Sequence, residues 1–230
     1  MTLVAGHFRR MSLTCGLLRC GVAAGPLFIT VFLVEGARRP GYKPLRHPVS
    51  SLSLGPHGWV QVANFSATGT LCLAGAAGLS LAPGAVPGTR LGTAFIGAAG
   101  LGLLGSAVFP TDPVSGYPPG SPDALAEPST SMTRHGIAAI PIFLGLPTAA
   151  LAYGWRFHRA GQPRWAVYSA CTAASMVVNI GLAGAGFGQA SRLVGFAGLF
   201  QRASIITAFT WITALSARAL RTGSQQAVTR

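Results

Sequence analysis

The chain has 230 residues, of which 50% are hydrophobic and only 9% are charged, whereas charged residues make up about 25% of a soluble domain. So few charges cannot cover a water-exposed surface, which excludes a soluble globular domain and indicates that most side chains face lipid or other helices. The net charge is +13, but the basic residues lie between apolar runs, which is typical of membrane topology signals and not of a nucleic-acid-binding face.

Six apolar runs approach the roughly 20 residues that a helix needs to cross a bilayer. They cover residues 17–34, 59–81, 91–109, 137–155, 165–185 and 195–215. Prolines inside the runs are tolerated in membrane helices, because neighbouring helices satisfy the freed backbone groups. The sequence therefore predicts an all-α fold, in which residues 1–230 form one polytopic membrane domain, a bundle of six transmembrane helices.

An even number of spans places both termini on one side of the membrane. The N-terminus, second loop, fourth loop and C-terminus hold ten basic residues: Arg9, Arg10, Arg19, Arg90, Arg156, Arg159, Arg164, Arg218, Arg221 and Arg230. The first, third and fifth loops hold six: Arg38, Arg39, Lys43, Arg46, Arg134 and Arg192. Because basic residues accumulate on the cytoplasmic side, we expect both termini in the cytoplasm.

The connections on the two sides differ in length. The cytoplasmic ones are short, at residues 82–90 and 156–164, whereas the first outer loop covers residues 35–58 and the third loop covers residues 110–136. Six prolines in the third loop predict an extended, stiff segment and not a helix. Since long irregular loops in a compact protein are usually functional, we expect a site to open to the outer face.

Glycine and other small residues follow a regular spacing in the second and third runs. Residues 100–105 match G-x-G-x-x-G, but that nucleotide-binding pattern needs a preceding strand, so inside an apolar run we expect no nucleotide. Two stripes recur at every fourth position: Ala94, Ala98, Gly102 and Ser106, and Ser66, Thr70, Ala74 and Gly78. Such stripes allow helices to approach closely, so we expect the second and third spans to pack through them.

Acidic residues are scarce, and all four lie on or near the outer side: Glu35, Asp112, Asp123 and Glu127. We expect Asp123 and Glu127, in the proline-rich loop, to be solvated. Glu35 closes the first span and Asp112 follows the third. Both therefore lie at the headgroup boundary, where a carboxylate either pairs with a cation or serves as an acid or base.

Arg202 is the one basic residue that does not fit a loop or a terminal segment, since it falls about seven residues into the last predicted span. A cation at that depth is costly, faces the bundle interior and needs a partner. We expect Glu35 or Asp112 to be that partner. The pair is then either an ion pair that stabilises the fold or part of a site for an anionic or polar headgroup.

Three histidines are predicted on the same side, at His47, His57 and His135. No two of them have the helical spacing or the H-E-x-x-H arrangement of a zinc site, so we expect hydrogen-bonding roles, no metal and no cofactor. Together with the charged residues they define a predicted outer-leaflet site of seven residues: Glu35, Arg46, His47, His57, Asp112, His135 and Arg202.

Several motifs lie in the outer loops and at span ends. They are RPGYKPLRHPVSSLSLGPHGWVQ at 39–61, FPTDP at 109–113, GYPPG at 116–120, RHG at 134–136 and GLFQR at 198–202. In this order they resemble the bacterial membrane proteins catalogued as domain of unknown function 998. The resemblance implies a six-span inner-membrane protein with no established activity. Family members often carry a second histidine after the His-Gly pair, where this chain has Ala138 and Ala139, which further weakens a metal site.

Two functions remain open. The first is binding or transport of a lipid or amphiphile at the outer leaflet, with Arg46 and Arg202 holding an anionic headgroup and His47, His57 and His135 lining the site. The second is a membrane-embedded enzyme acting on a lipid or prenyl substrate, in which Glu35 or Asp112 is the catalytic acid, by architectural analogy with membrane-bound terpene cyclases. In both, the expected partners are membrane lipids and not nucleic acid or nucleotide. The sequence carries no signal of oligomeric state.

Overall fold

The computed structural model describes residues 2–82 and 86–228, with side chains over residues 11–82 and 86–222. The regular secondary structure of these residues is helical, without a strand. The α-helices are α1 (Thr2–Arg38), α2 (Gly58–Leu81), α3 (Arg90–Val108), α4 (Thr130–Ile140), α5 (Leu146–Arg159), α6 (Pro163–Phe187) and α7 (Ala197–Val228). A π-helical turn, Pro141–Gly145, joins α4 to α5, and short 3₁₀ turns cover Val49–Ser53 and Val194–Phe196.

Six helical segments of the described chain are long and apolar enough to cross a bilayer. They are Met11–Arg38, Gly58–Leu81, Arg90–Val108, Thr130–Arg159, Pro163–Phe187 and Val194–Thr222. Each predicted run overlaps a different one, so the predicted all-α bundle of six spans is confirmed. Part of the topology prediction lies outside the described residues: residues 83–85 of the second loop, the side chains of Arg9 and Arg10, and Arg230.

The fourth span begins at Thr130 and not at residue 137, so the prediction that Arg134 and His135 lie in a loop is wrong. Ser129 caps this helix, since its hydroxyl accepts from the Met132 N–H at 3.1 Å. The Asp112 carboxylate in turn accepts from the N–H and the hydroxyl of Ser129, at 2.8 and 2.6 Å. Because Asp112 holds the capping residue Ser129 in place, α4 begins two turns before the apolar run.

The spans close into a ring in the order α1, α7, α6, α5, α3 and α2, each packing on the next. We call the end that carries loop 1 (residues 39–57) and loop 3 (residues 109–129) the long-loop end. The fourth span is divided by the π-helical turn and Pro141, and both features bend helices. On the long-loop side of that turn, α4 packs extensively only against α3. On the other side, α5 contacts both α3 and α6. The ring is therefore open between α4 and α6 at the long-loop end.

Helices α2 and α3 pack closely, as predicted, but the faces predicted for that contact are wrong. A Cβ atom added at Gly69 would lie 2.7 Å from the carbonyl oxygen of Gly100, and one at Gly100 would lie 2.8 Å from that of Gly69. Gly102 of the predicted stripe faces Ala138 of α4 instead, and Gly78 faces α1. Helices with small residues on several faces have several possible close contacts, and the period alone does not select among them.

The core at the long-loop end is aromatic. The ring of Phe28 lies 5.6 Å from Phe32, 5.8 Å from Phe65 and 4.8 Å from Phe209, between centroids. These rings come from α1, α2 and α7, so they join three helices beneath the loops. The candidate site lies directly above these rings, between them and the loops.

Candidate functional site

Arg202, in the second turn of α7, is 5% exposed and is surrounded by oxygen atoms. Its Nη1 donates to the carbonyl oxygens of Pro44 at 2.5 Å, His47 at 3.0 Å and Gly198 at 3.0 Å, and its Nη2 donates to the Tyr42 hydroxyl. Loop 1 comes this close because residue 198 has no Cβ, which would lie 2.5–2.6 Å from the carbonyl oxygens of Pro44 and His47. Arg202 therefore fastens loop 1 to the start of α7.

The prediction that Glu35 or Asp112 pairs with Arg202 is wrong. Glu35 accepts instead from Nη2 of Arg39 at 2.8 Å, one helical turn away at the end of α1. Asp112 is engaged at the start of α4. Backbone carbonyl dipoles of loop 1 replace the expected carboxylate around the buried guanidinium.

Arg39 was not among the predicted site residues, yet it joins two of them. Besides Glu35, its guanidinium donates to the carbonyl oxygens of Leu54 at 2.9 Å and His57 at 3.0 Å. The imidazole of His57 itself is exposed. Glu35 and His57 thus help Arg39 to hold the end of loop 1 against α1.

His47 is 2% exposed, and its Nδ1 accepts from the Lys43 N–H at 2.9 Å. Burial, followed by the positive charges of Arg46 and Lys43, lowers the pKa of His47 from 6.5 to about 4. The imidazole is therefore neutral at pH 7. Its ring lies 5.4 Å from that of Tyr117, between centroids, which brings loop 1 and loop 3 together.

Burial raises the pKa of Tyr42 to about 12, against the opposing charge of Arg202. The hydroxyl therefore keeps its proton, which it donates to the carbonyl oxygen of Pro48 at 2.8 Å. The hydroxyl oxygen of Tyr42 itself accepts from Nη2 of Arg202. Tyr42 is a neutral relay between the cation and the loop backbone.

Arg46 pairs with Asp123 across the two long loops, with Nη2 2.5 Å from the carboxylate oxygen. The two side chains are 29% and 62% exposed. Such exposed pairs contribute about 0–1 kcal/mol, so the contact aligns the loops more than it stabilises them.

A cavity of about 520 Å³ lies beneath loop 3, on the open side of the ring between α4 and α6. This volume is within the range of roughly 300–1,000 Å³ that is typical of small-molecule sites. Within the described residues its wall contains no Asp, Glu, Lys or Arg. Its apolar lining includes Phe28, Phe65, Leu103, Leu125, Met132, Ile142, Phe143, Phe187 and Ile205.

Two polar side chains in this wall are oriented by the backbone. His135 is 8% exposed, and its Nδ1 lies 2.8 Å from the carbonyl oxygen of Phe109. The Oε1 of Gln201 accepts from the N–H of Val49 at 2.8 Å. Ser106, by contrast, donates its hydroxyl proton to its own helix, at the Gly102 carbonyl oxygen. Among the described polar side chains of this wall, His135 and Gln201 are therefore the two that hydrogen-bond to the backbone of another element.

The seven predicted site residues do not meet in one pocket, and His135 is the one that lines the cavity. The other six hold loops and helix ends: Arg46, His47 and Arg202 on loop 1 and α7, Glu35 and His57 around Arg39, and Asp112 at α4. Their roles in catalysis or substrate binding stay predictions. Sequence reasoning missed Gln201, although an amide beside Arg202 in an otherwise apolar span was a usable signal.

Within the described part of the chain, no three His, Cys, Asp or Glu side chains come close enough together to hold a metal ion. His47 and His135 lie in separate surroundings, one under the loops and one in the cavity wall. The expectation that the protein uses no metal and no cofactor stays a prediction.

Comparison with known proteins gives one finding. The family model described as "Protein of unknown function (DUF998)" matches residues 22–218, which is most of the chain and all six spans in whole or in part. Neither a curated protein nor a solved structure matches.

Proposed function

We propose a function for this chain, which belongs to the DUF998 family of proteins of unknown function: it binds a lipid or amphiphile, as a carrier or transporter, in the cavity beneath loop 3. The observation that carries the proposal is the apolar cavity of about 520 Å³ with its uncharged wall. Transfer of a hydrocarbon tail into such a wall is favourable, and a few oriented polar groups suffice to fix a headgroup.

Access from the lipid supports this proposal. Among the described residues α4 packs extensively against α3, and no comparable packing joins α4 to α6 on the flank of the cavity. The outer face of the fourth span is apolar and exposed at Ile137, Ile140 and Leu144, with exposed fractions of 62%, 51% and 61%. We infer that a lipid tail enters the cavity laterally, between α4 and α6, without crossing the loops.

We further propose that the long-loop end faces the outside of the inner membrane, with both termini in the cytoplasm. The support is the distribution of basic residues, ten against six, together with the positive-inside rule. A reporter fused after Arg230 tests the orientation. Activity of a cytoplasmic reporter is expected, and activity of a periplasmic one would overturn it.

The enzymatic alternative has less support. A cyclase-like mechanism needs a carboxyl group that faces the substrate cavity. Glu35 is paired with Arg39, Asp112 caps α4, and neither lines the cavity. Binding is therefore the function that the geometry favours.

The test is mass spectrometry of the lipids that co-purify with the full chain. In the Ala139→Phe variant a larger side chain enters the cavity, because Ala139 lines it, and we expect about a tenfold loss of co-purified lipid. The matched control is Ile137→Phe on the same helix, whose side chain faces away from the bundle. No loss in Ala139→Phe, or an equal loss in both variants, would refute binding in this cavity.

A further inference from the structure

We infer that the ligand carries an uncharged, hydroxyl-bearing headgroup, recognised by His135 as hydrogen-bond acceptor and by Gln201 as donor; this rests on the proposed function. It replaces the anionic headgroup that the sequence suggested. The cavity itself would also suit a purely apolar tail, so the inference depends on the orientation of these two side chains.

The tautomer of His135 follows from its partner. A carbonyl oxygen only accepts, so the contact of 2.8 Å with Phe109 requires the proton on Nδ1. In the neutral ring the Nε2 atom then presents a lone pair. Among the described residues no side chain or backbone group donates to that atom, and His135 lines the cavity. A ligand hydroxyl is the group that would satisfy it.

The orientation of Gln201 follows in the same way. Its Oε1 accepts from the Val49 N–H at 2.8 Å, so the amide oxygen is turned to loop 1. Its Nε2 carries two protons, and no described group accepts either of them. Gln201 also lines the cavity. It therefore supplies a donor to the oxygen of a ligand hydroxyl or ester.

Charge argues against the anionic alternative. No basic side chain lines the cavity within the described residues, and the nearby cations are already engaged, Arg202 by loop carbonyl oxygens and Arg46 by Asp123. An anion against this wall would be desolvated by apolar side chains with no counter-ion in the described lining. The chemical class that fits is a monoacyl or diacyl glycerol or a long-chain alcohol.

The experiment uses the full chain in phosphatidylcholine nanodiscs with radiolabelled monolauroylglycerol as probe. Methyl laurate, laurate and dodecylamine, with tails of the same length, compete for the probe. We expect the glycerol ester to bind about tenfold more tightly than the methyl ester, which lacks a hydroxyl donor, and more tightly than either charged compound.

Two variants test the residues. His135→Asn keeps an N–H for the Phe109 carbonyl oxygen and removes the Nε2 acceptor, so the glycerol ester should weaken about tenfold while methyl laurate is unchanged. Gln201→Glu keeps the acceptor for Val49 and removes the donor, with the same expected direction. His158→Asn is the matched control, since that imidazole is exposed on α5 and does not line the cavity.

The outcomes separate the two proposals. Equal affinity of wild type for the glycerol and methyl esters would overturn the headgroup assignment and leave amphiphile binding standing. Tightest binding of laurate, lost in Arg46→Gln, would overturn it in favour of an anionic headgroup. If none of the four compounds binds, the proposed function itself fails.

Discussion

Arg202 of α7 and Tyr42 of loop 1 meet in a hydrogen bond from the guanidinium to the phenol hydroxyl. The same hydroxyl donates a hydrogen bond to the carbonyl oxygen of Pro48 at 2.8 Å. Arg202 lies near the N-terminus of its helix, where the helix dipole disfavours a cation. Loop oxygens offset that effect, and in return the cation draws loop 1 onto the bundle.

Tyr42→Phe should lower the free energy of unfolding by about 1–3 kcal/mol, because it leaves a buried donor of Arg202 and the carbonyl of Pro48 without their partner. Thermal unfolding in detergent measures the effect. Tyr153→Phe is the control: its hydroxyl is buried without a partner among the described residues, so its removal should be neutral or stabilising. Equal losses in the two variants would contradict the role assigned to Tyr42.

Asp112→Ala should destabilise the protein by about 1–2 kcal/mol, since Ser129 loses both contacts that support the cap of α4. Asp123→Ala, which removes only an exposed pair, should change stability by about 0–1 kcal/mol. Unfolding curves of the two variants decide the matter. An Asp112→Ala protein as stable as wild type would show that the cap does not start the helix.

Gly100→Ala should weaken the contact of α2 with α3, because the new Cβ would lie 2.8 Å from the carbonyl oxygen of Gly69; we expect a loss of about 1–3 kcal/mol. Gly97→Ala, on the same helix, meets only Ala76 at 3.8 Å. It should be neutral or stabilising by about 0.5–1 kcal/mol, through higher helix propensity. The reverse ranking in unfolding experiments would mean that the two helices pack on another face.

The protein should lose stability as the pH falls from about 6.5 towards 4. Burial and neighbouring positive charge hold the pKa of His47 at about 4, below its usual 6.5, so in this window the unfolded chain binds the proton and the folded chain does not. Protonation would also remove the Nδ1 acceptor of the Lys43 N–H. The His47→Asn variant offers an oxygen acceptor that does not titrate.

Melting temperatures of wild type and His47→Asn between pH 7.5 and pH 4 check this expectation. The wild-type value should fall more steeply than that of the variant. Parallel curves would assign the acid sensitivity to other groups.

Much of the architecture follows from local features of the sequence. A bilayer accepts only helices or barrels, so six apolar runs predict six spans, and the structure has them. The start of α4 could not be read in this way, because it depends on Asp112, which is distant in sequence from Ser129. The predicted contact of α2 with α3 was correct as a pair of helices and wrong in its faces, since small residues occur on more than one side.

The candidate site was likewise predictable only in part. The sequence by itself determined a helical membrane bundle with scarce acids at the long-loop end and an arginine, Arg202, within the last span, because spans and charges are properties of single residues and short windows. Only the tertiary structure decided that Arg202 is held by the carbonyl oxygens of Pro44 and His47, and that His135 and Gln201 line a cavity. Every residue has a backbone carbonyl, so such partners have no sequence signature. A cavity also has no sequence signature, because it depends on how helices distant in sequence pack. Here it lies where α4 and α6 are not extensively packed against each other.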